Sequence, residues 1–245
     1  MAFASWRGTV GVIKPTYRPG GLEEMIRLLP DGIAVIPLFL GIREGTTEEF
    51  RRVLDAVESK VAELAEIGVD LIHPEGAPPF MVAGIRRERE LLERWEAQYG
   101  RPVITSGTTQ ADALRALHVH RVVGITYFRG ELNDLFAQYF TDAGFEVLAM
   151  DGMDVPFDQV GRLSSREVYA HAKRAFRRHQ HADGLYMLGA GWRVLDILEM
   201  LEQDLNVPVA HATPVRVWAI QRYFQVRERR SGYGRLLAEL PPLAE

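Results

Sequence analysis

The sequence predicts an α/β protein of two pseudo-symmetric halves, each a four-stranded parallel sheet flanked by helices, with the site in the cleft between them. Two observations support this prediction. Short apolar runs alternate with longer amphipathic stretches, which is typical of parallel sheets covered by helices on both faces. Three short segments of the first part of the chain also recur, in the same order, in the second part. Each half is therefore expected to be Rossmann-like.

Eight strands are predicted, four in each half, from short apolar runs bounded by polar or turn-forming residues. They cover 10–14, 34–38, 69–73 and 103–105, then 122–126, 147–150, 185–188 and 209–211. Apolar residues at helical spacing predict helices over 47–67, 86–99, 109–117, 131–143, 165–179, 196–205 and 214–227. The half-units then span 1–117 and 118–227, followed by a charged, weakly patterned tail at 228–245 that we expect to be loose.

The internal repeat indicates where a ligand would bind. The strand end 13–18 (Ile-Lys-Pro-Thr-Tyr-Arg) corresponds to 125–129 (Ile-Thr-Tyr-Phe-Arg), and 72–76 corresponds to 187–191. A third pair, 102–105 and 208–211, begins Pro-Val in both halves. Because ligands of such folds bind outside the carboxyl ends of parallel strands, we expect the site where both sets of strand ends converge.

Composition narrows the classes of function. Of the 245 residues 47% are hydrophobic and 25% charged, as in ordinary globular proteins, and the net charge of −4 favours a small-molecule partner over nucleic acid. The longest apolar run, 33–40, is too short for a membrane span, and the N-terminus has no signal-peptide pattern, so we expect a cytoplasmic protein without a membrane partner. Cysteine is absent, which leaves the chemistry to oxygen and nitrogen groups.

Glu75 and His73 lie in the most distinctive segment of the sequence, 73–80 (His-Pro-Glu-Gly-Ala-Pro-Pro-Phe), at the end of a predicted buried strand. Partial burial would raise the pKa of Glu75 and make it a general base. Alternatively, Glu75 caps the following helix or forms a salt bridge with an arginine, and His73 is a core residue with satisfied hydrogen bonds. At the last strand end, His211 is a second candidate for moving a proton.

The paired Thr-Tyr segments are candidate ligand cradles. Thr16, Tyr17 and Arg18 in the first half, and Thr126 and Tyr127 in the second, combine hydroxyl, phenol and guanidinium groups that suit a carboxylate or an enolate oxygen. Tyr127 would donate to a developing oxyanion. The alternative for both tyrosines is packing with the hydroxyl group in water.

A glycine-rich segment follows the seventh predicted strand. Gly189, Ala190, Gly191 and Trp192 precede a predicted helix, so their backbone N–H groups could hold an anion, or the glycines could simply make a tight turn. Phosphate-loop, nucleophile-elbow and dinucleotide-binding motifs are absent, and the histidines and carboxylates do not fall at metal-ligand spacing. We therefore expect no cofactor and no metal.

At these strand ends the sequence resembles the aspartate/glutamate racemase superfamily, and within it the maleate isomerase and arylmalonate decarboxylase group. The resemblance covers most of the chain and rests on 104–107 (Ile-Thr-Ser-Gly) leading to 113–117, on 122–127 (Val-Val-Gly-Ile-Thr-Tyr), and on 183–191 followed by Val-Pro-Val at 207–209. It implies two α/β halves with the site between them, and it makes a homo-oligomer plausible.

The resemblance also implies roles for individual residues. Members of this superfamily use one or two cysteines, after the third strand of each half, to react at the α-carbon of the substrate. Here those positions fall at Gly76 and at Gly189, or at Gly191 if the alignment slips by two. The resemblance places Tyr127 in an oxyanion-stabilising pocket, and Glu75 beside Gly76 becomes the natural substitute for the missing thiol.

The leading hypothesis is a cofactor-independent lyase or isomerase, such as a decarboxylase, a cis-trans isomerase or a racemase-like enzyme, acting on a small carboxylic acid through an enolate-like intermediate. Glu75 or His211 would move the proton, and Tyr127 would stabilise the enolate. Two alternatives stay open: a hydrolase of a lactone, imide or amide in which Glu75 activates water, and a non-catalytic protein that binds small acids.

Overall fold

Two parallel β-sheets form the centre of the protein. The structure, a computed structural model, describes residues 5–243. Its strands are β1 (Gly8–Lys14), β2 (Ile33–Phe39), β3 (Leu71–Pro74), β4 (Arg121–Thr126), β5 (Glu146–Gly152), β6 (Gly184–Met187) and β7 (Val209–His211). The first sheet has the order β2-β1-β3 and the second β5-β4-β6-β7, with every neighbouring pair parallel.

The two sheets repeat one topology, so the predicted α/β class with two parallel-sheet halves is confirmed. β1 lies between β2 and β3 as β4 lies between β5 and β6. The prediction of four strands in the first half is wrong in one respect, because the predicted strand 103–105 makes only a single parallel bridge, between Ile72 and Val103. Pro102 has no N–H to donate to a ladder, and Thr105 already precedes a helix.

Eleven α-helices of the described residues cover the sheets. They are α1 (Gly20–Leu28), α2 (Thr47–Arg52), α3 (Leu54–Ile67), α4 (Ala77–Ala83), α5 (Ile85–Tyr99), α6 (Ser106–Ala116), α7 (Glu131–Asp142), α8 (Ser165–Arg177), α9 (Leu198–Leu205), α10 (Ala212–Tyr223) and α11 (Arg235–Glu239). Two 3-10 segments, Phe157–Arg162 and Leu195–Ile197, lie in the second half. None of these helices is long and apolar enough to cross a membrane.

Three helical features differ from the sequence prediction. The predicted helix 47–67 is two helices that meet at Val53, and Gly68 ends the second of them in the left-handed region. Neither α1 nor α4 was predicted, because two glycines begin α1 and two prolines lie in the first turn of α4, and neither residue type favours a helix. The tail is packed rather than loose, with Leu237 fully buried in α11. The division at 117 and 118 stays a prediction.

Helix α10 connects the two halves. Every residue from 211 to 221 is buried, and the helix packs against α1 and α6 of the first half as well as against β7 and α11. A helix buried on all sides carries apolar residues around its whole circumference, so a charged residue within it must have a partner. Arg216 is that residue.

Candidate active site

The carboxyl ends of the strands surround a pocket of about 630 Å³, which includes space open to solvent. Its wall comes from the segments after β1, β3, β4 and β6, the 3-10 segment at 157–162, and the first turns of α4, α6 and α10. The lining residues are Lys14, Pro15, Thr16, Arg18, Phe50, Glu75, Gly76, Ala77, Pro78, Pro79, Ser106, Gln110, Tyr127, Phe128, Phe157, Gly189, Ala190, Gly191, Ala212 and Arg216. The pocket therefore lies where strand ends of both halves converge.

Most of the predicted site residues lie in this wall, although their chemical roles stay predictions. Those that line the pocket are Thr16, Arg18, Glu75, Gly76, Tyr127, Gly189, Ala190 and Gly191. Those that do not line it are Tyr17, His73, Thr126, Trp192 and His211.

A buried cluster of three charges, Lys14, Glu75 and Arg216, forms one side of the pocket. Lys14 ends β1, Glu75 follows β3, and Arg216 projects from α10. Lys14 Nζ donates to Glu75 Oε2 at 3.2 Å, and Arg216 Nη1 lies 2.9 Å from Glu75 Oε1. All three side chains are at most 5% exposed. The carboxylate thus lies between two cations, one from each half of the protein.

The charges of the cluster shift one another's pKa values. Burial lowers the pKa of Lys14, and Arg216 lowers it further, against the opposing effect of Glu75. Burial alone would raise the pKa of Glu75, but Arg216, followed by Lys14 and His73, outweighs burial and holds it below its ordinary value. This is opposite to the expected direction. Glu75 is therefore a carboxylate in an ion-pair cluster, which matches the alternative of a salt bridge with an arginine.

The cluster itself carries one more positive than negative charge when Lys14 is protonated, because two buried cations then face Glu75, and buried charge is costly unless it is neutralised. A further buried carboxylate, Glu24, also acts on Arg216 and raises its pKa against the effect of burial. Arg216 Nε also has no hydrogen-bond partner among residues 5–243. An anionic ligand would supply the missing charge and the missing acceptor, because a guanidinium binds a carboxylate through parallel hydrogen bonds.

Tyr127 occupies the space where a side chain at position 189 would lie. A Cβ atom built on Gly189 would lie only 2.2 Å from the Tyr127 hydroxyl. Gly189 also has a φ of +86°, a backbone conformation that residues with a side chain rarely adopt. Burial raises the pKa of Tyr127 to about 12, despite Arg18 and a backbone hydrogen bond from Gly191, so the phenol is neutral at working pH. A neutral phenol can donate a hydrogen bond to a developing oxyanion.

We expect Gly189→Ala to destabilise the protein more than Gly144→Ala does. Both glycines have φ near +90°, but a Cβ on Gly144 would meet nothing within 4 Å, so only Gly189→Ala forces Tyr127 to move. The backbone strain that both substitutions introduce should lower the free energy of unfolding by roughly 1–2 kcal/mol. The collision with Tyr127 in Gly189→Ala should lower it by a further amount of about 1–3 kcal/mol. Urea unfolding of the two variants measures the difference. Equal losses would show that the turn at 189 relaxes away from Tyr127.

Aromatic rings and prolines form the apolar side of the pocket. Phe128 packs against both Phe50 and Phe157, with ring centroids 5.7 and 5.8 Å apart. The Arg18 guanidinium lies 4.4 Å from the centre of the Phe157 ring and donates to the Phe157 carbonyl. This contact joins the β1–α1 loop to the second half across the mouth of the pocket. The pocket combines apolar walls with buried cations, which suits a small acid that carries an apolar group.

Three of the predicted binding residues support the pocket from outside. Tyr17 is 68% exposed and its ring lies against Phe39, so it does not reach the ligand space. Thr126 is buried and bonds Asn133, which fixes the turn after β4. Trp192 is buried and packs edge-on against Tyr127, with 5.1 Å between ring centroids. The 189–192 segment leads into a loop and a 3-10 segment rather than directly into a helix.

The two predicted site histidines are buried core residues. His73 Nδ1 donates to the Ile104 carbonyl at 2.7 Å, and His211 caps α10 by accepting from the Thr213 N–H at 3.4 Å. Burial lowers the pKa of His73 to about 4 and that of His211 to about 3. Both are therefore neutral at working pH and lie outside the pocket wall, and the role of His211 in moving a proton stays a prediction.

These histidines predict a loss of stability in acid. Their folded pKa values lie below the unfolded value of 6.5, so the unfolded chain binds more protons and stability falls as pH drops from 6.5 towards 4 and 3. At about 1.4 kcal/mol for each unit of pKa difference, the two together should cost several kcal/mol. His211→Asn should flatten the pH dependence of the unfolding midpoint, whereas exposed His120→Asn should not. An unchanged slope in His211→Asn would contradict this assignment.

Sequence reasoning missed Lys14, Arg216 and Gln110 of the pocket wall. Lys14 follows four apolar residues of a buried strand, and Arg216 interrupts the apolar run 214–220, so a charge in a buried element was the available signal. Gln110 had no such signal. It is 2% exposed, and its Oε1 accepts from the Tyr186 hydroxyl, which fixes the orientation of the amide.

Comparisons with known proteins identify a family by sequence and a shared fold by structure. A family model described as arylmalonate decarboxylase matches residues 10–237. The arylmalonate decarboxylase of Bordetella bronchiseptica is 26% identical over 237 residues, which is 94% of this chain and 97% of that protein. The crystal structure of a Pseudomonas putida maleate isomerase is similar with a TM-score of 0.88 and 22% identity, covering 95% of this chain and 99% of that one. A Nocardia farcinica maleate cis-trans isomerase bound to TRIS gives a TM-score of 0.85 and 20% identity, covering 95% and 98%.

Proposed function

Since the chain belongs to the arylmalonate decarboxylase family, whose relatives are lyases and isomerases, we propose that it is a cofactor-independent decarboxylase or isomerase of a small carboxylic acid that uses Lys14 in place of a thiol. The observation that carries this proposal is the buried Lys14–Glu75–Arg216 cluster in the pocket wall. The cluster supplies an anion-binding group, Arg216, and a proton donor, Lys14, and its third member, Glu75, immediately precedes Gly76, one of the positions at which the superfamily resemblance puts a cysteine.

Arg216 is the group best suited to hold the substrate carboxylate. Its Nε is unpartnered among residues 5–243, and its charge is only partly balanced by Glu75. The apolar wall of Phe50, Phe128 and Phe157 would take the organic part of the acid. In a malonate, the second carboxylate would lie against this apolar wall, where it is poorly solvated, and this favours its loss as neutral carbon dioxide.

In the decarboxylation that we propose, the bond between the α-carbon and one carboxyl group breaks and carbon dioxide leaves. The electron pair stays on the α-carbon as an enolate, whose oxygen accepts a hydrogen bond from the neutral Tyr127 phenol. Lys14 then gives its proton to the α-carbon and is reprotonated from water. A lowered pKa makes Lys14 a stronger acid than an exposed lysine, as this step requires.

The hydrolase alternative depends on Glu75 as a general base. Two cations at 2.9 and 3.2 Å hold the carboxylate and lower its pKa, which weakens it as a base towards water. No feature of the pocket favours that alternative over the decarboxylase or isomerase.

The proposal is tested by proton NMR in deuterated water with purified protein and a panel of aryl- and alkyl-malonates, maleate, amino acids, hydantoins and lactones. We expect carbon dioxide release with one deuterium added at the α-carbon, or isomerisation of maleate. Ring opening without carbon–deuterium formation would support the hydrolase and contradict the proposal. Boiled protein and the Lys14→Met variant are the controls.

A further inference from the structure

We infer that Lys14 also forms a covalent imine with keto acids, so that the same pocket decarboxylates 3-oxo acids through an enamine. This inference rests on the proposed function, because it uses the same pocket and the same anion-binding group. It adds a substrate class, the 3-oxo acids, and a covalent intermediate that an enolate mechanism does not need.

The geometry makes Lys14 the nucleophile of the pocket. Lys14 lines the cavity, and its Nζ has one hydrogen-bond partner among residues 5–243, Glu75, which leaves its other positions free for a ligand. Thr16 and Ser106 are the side chains of the wall with an aliphatic hydroxyl, and no described His, Asp or Glu bonds either of them to act as its base.

The charges allow Lys14 to be a neutral amine. Glu75 keeps a cationic partner in Arg216 at 2.9 Å when Lys14 loses its proton, and the cluster then has no net charge. Burial and the nearby guanidinium both lower the pKa of Lys14. Desolvation and a neighbouring cation are the two features that activate lysines for addition to carbonyl groups.

Arg216 selects for acids among carbonyl compounds. A keto acid would place its carboxylate at the guanidinium and its keto carbon at the amine. In aqueous solution the same amine would react with any aldehyde, but the pocket retains only a ligand that also neutralises the buried positive charge. The ligand class is therefore an oxo acid rather than a simple ketone.

The steps balance without a further reagent. The Lys14 amine adds to the keto carbon, the carbonyl oxygen leaves as water with the two hydrogens of the amine, and a proton from solvent gives the protonated imine. In a 3-oxo acid the bond to the carboxyl group then breaks, its electron pair moves towards the iminium nitrogen, and carbon dioxide leaves an enamine. Protonation at carbon, from the Tyr127 phenol or water, and addition of water release the ketone and regenerate the amine.

The chain offers internal controls, because its other two lysines are only partly buried, with side chains 33% and 21% exposed. Lys60 pairs with Glu63, and Lys173 bonds Asp204, which raises the pKa of Lys173 and keeps it protonated. Every unit by which the pKa of one amine lies below that of another gives about a tenfold larger neutral fraction at neutral pH. Because the pKa of Lys14 is lowered and that of Lys173 is raised, Lys14 should be labelled faster than Lys173.

The experiment is reductive trapping with sodium cyanoborohydride in the presence of acetoacetate, followed by intact mass and peptide mapping. We expect one adduct on Lys14, with the mass of an isopropyl group because carbon dioxide leaves before reduction. Pyruvate should give an adduct that retains its carboxylate, and malonate should give none. The Lys14→Arg variant keeps the cation and should not be trapped.

Labelling of Lys60, Lys173 or the N-terminus alone, or no adduct in the wild-type protein, would overturn the inference. Mapping in the wild-type protein decides this even if Lys14→Arg does not fold. The result is independent of the proposed function, since malonates can turn over without a trapped imine, and an imine can be trapped in a protein that does not turn over malonates.

Discussion

Replacing Lys14 by methionine should lower kcat/KM for the α-carbon reaction by about a hundred- to ten-thousand-fold, the usual contribution of a general acid or base. Methionine keeps most of the length of the side chain but has no proton to give. The remaining Glu75–Arg216 pair is neutral, so the fold should not suffer. Steady-state kinetics with the substrate found by NMR measures the effect.

Two controls make this result specific. Lys60→Met removes a half-buried surface lysine that pairs with Glu63 outside the pocket and should change kcat/KM less than about twofold. In the wild-type protein, activity should fall on the alkaline side below the pKa of an ordinary lysine, because the protonated donor is lost as pH rises through the lowered pKa of Lys14. Glu75 and Arg216 face the same amine, but neither of them changes charge in that range. An unchanged kcat/KM in Lys14→Met would remove Lys14 from the mechanism.

Glu75→Gln should cost about 3–5 kcal/mol of unfolding free energy, as is usual when one partner of a buried ion pair is removed. The amide leaves Lys14 and Arg216 as two buried cations without a carboxylate between them. The loss should be larger at pH 6 than at pH 9, because a neutral Lys14 relieves the repulsion. Urea unfolding at both pH values measures it.

The matched control is Glu63→Gln, which breaks an exposed ion pair with Lys60 at 2.7 Å and should cost less than about 1 kcal/mol. Adding Lys14→Met to Glu75→Gln should recover part of the stability, since one cation then remains in the cluster. If Glu75→Gln costs no more than Glu63→Gln, the three charges are not energetically coupled.

The sequence predicted the strands and the turns that follow them, whereas it did not predict the cluster of Lys14, Glu75 and Arg216. Apolar runs and the repeated segments at 72–76 and 187–191 located the sheets and the turns that carry Gly76 and Gly189, because both depend on local pattern. The partner of Glu75 is Arg216, 141 residues later on a helix of the other half, and no local pattern encodes such a contact.

His73 and Glu75 show the same limit of prediction from local sequence. Both residues follow the rule that polar residues at strand ends are site candidates, but His73 lies within β3 and bonds the Ile104 carbonyl, whereas Glu75 follows the strand and lines the cavity. Glu75 was expected to have a raised pKa because its burial could be guessed from the sequence while its two cationic neighbours could not.

The ion pair between Arg216 and Glu75 also links the two halves of the protein. The two atoms belong to different halves, and the nearby contact between Arg18 and Phe157 crosses the same boundary. A rotation of one half against the other would stretch both contacts and change the balance of charge around Lys14. Because Arg216 lowers the pKa of Lys14, such a rotation would also change how readily the lysine gives up its proton.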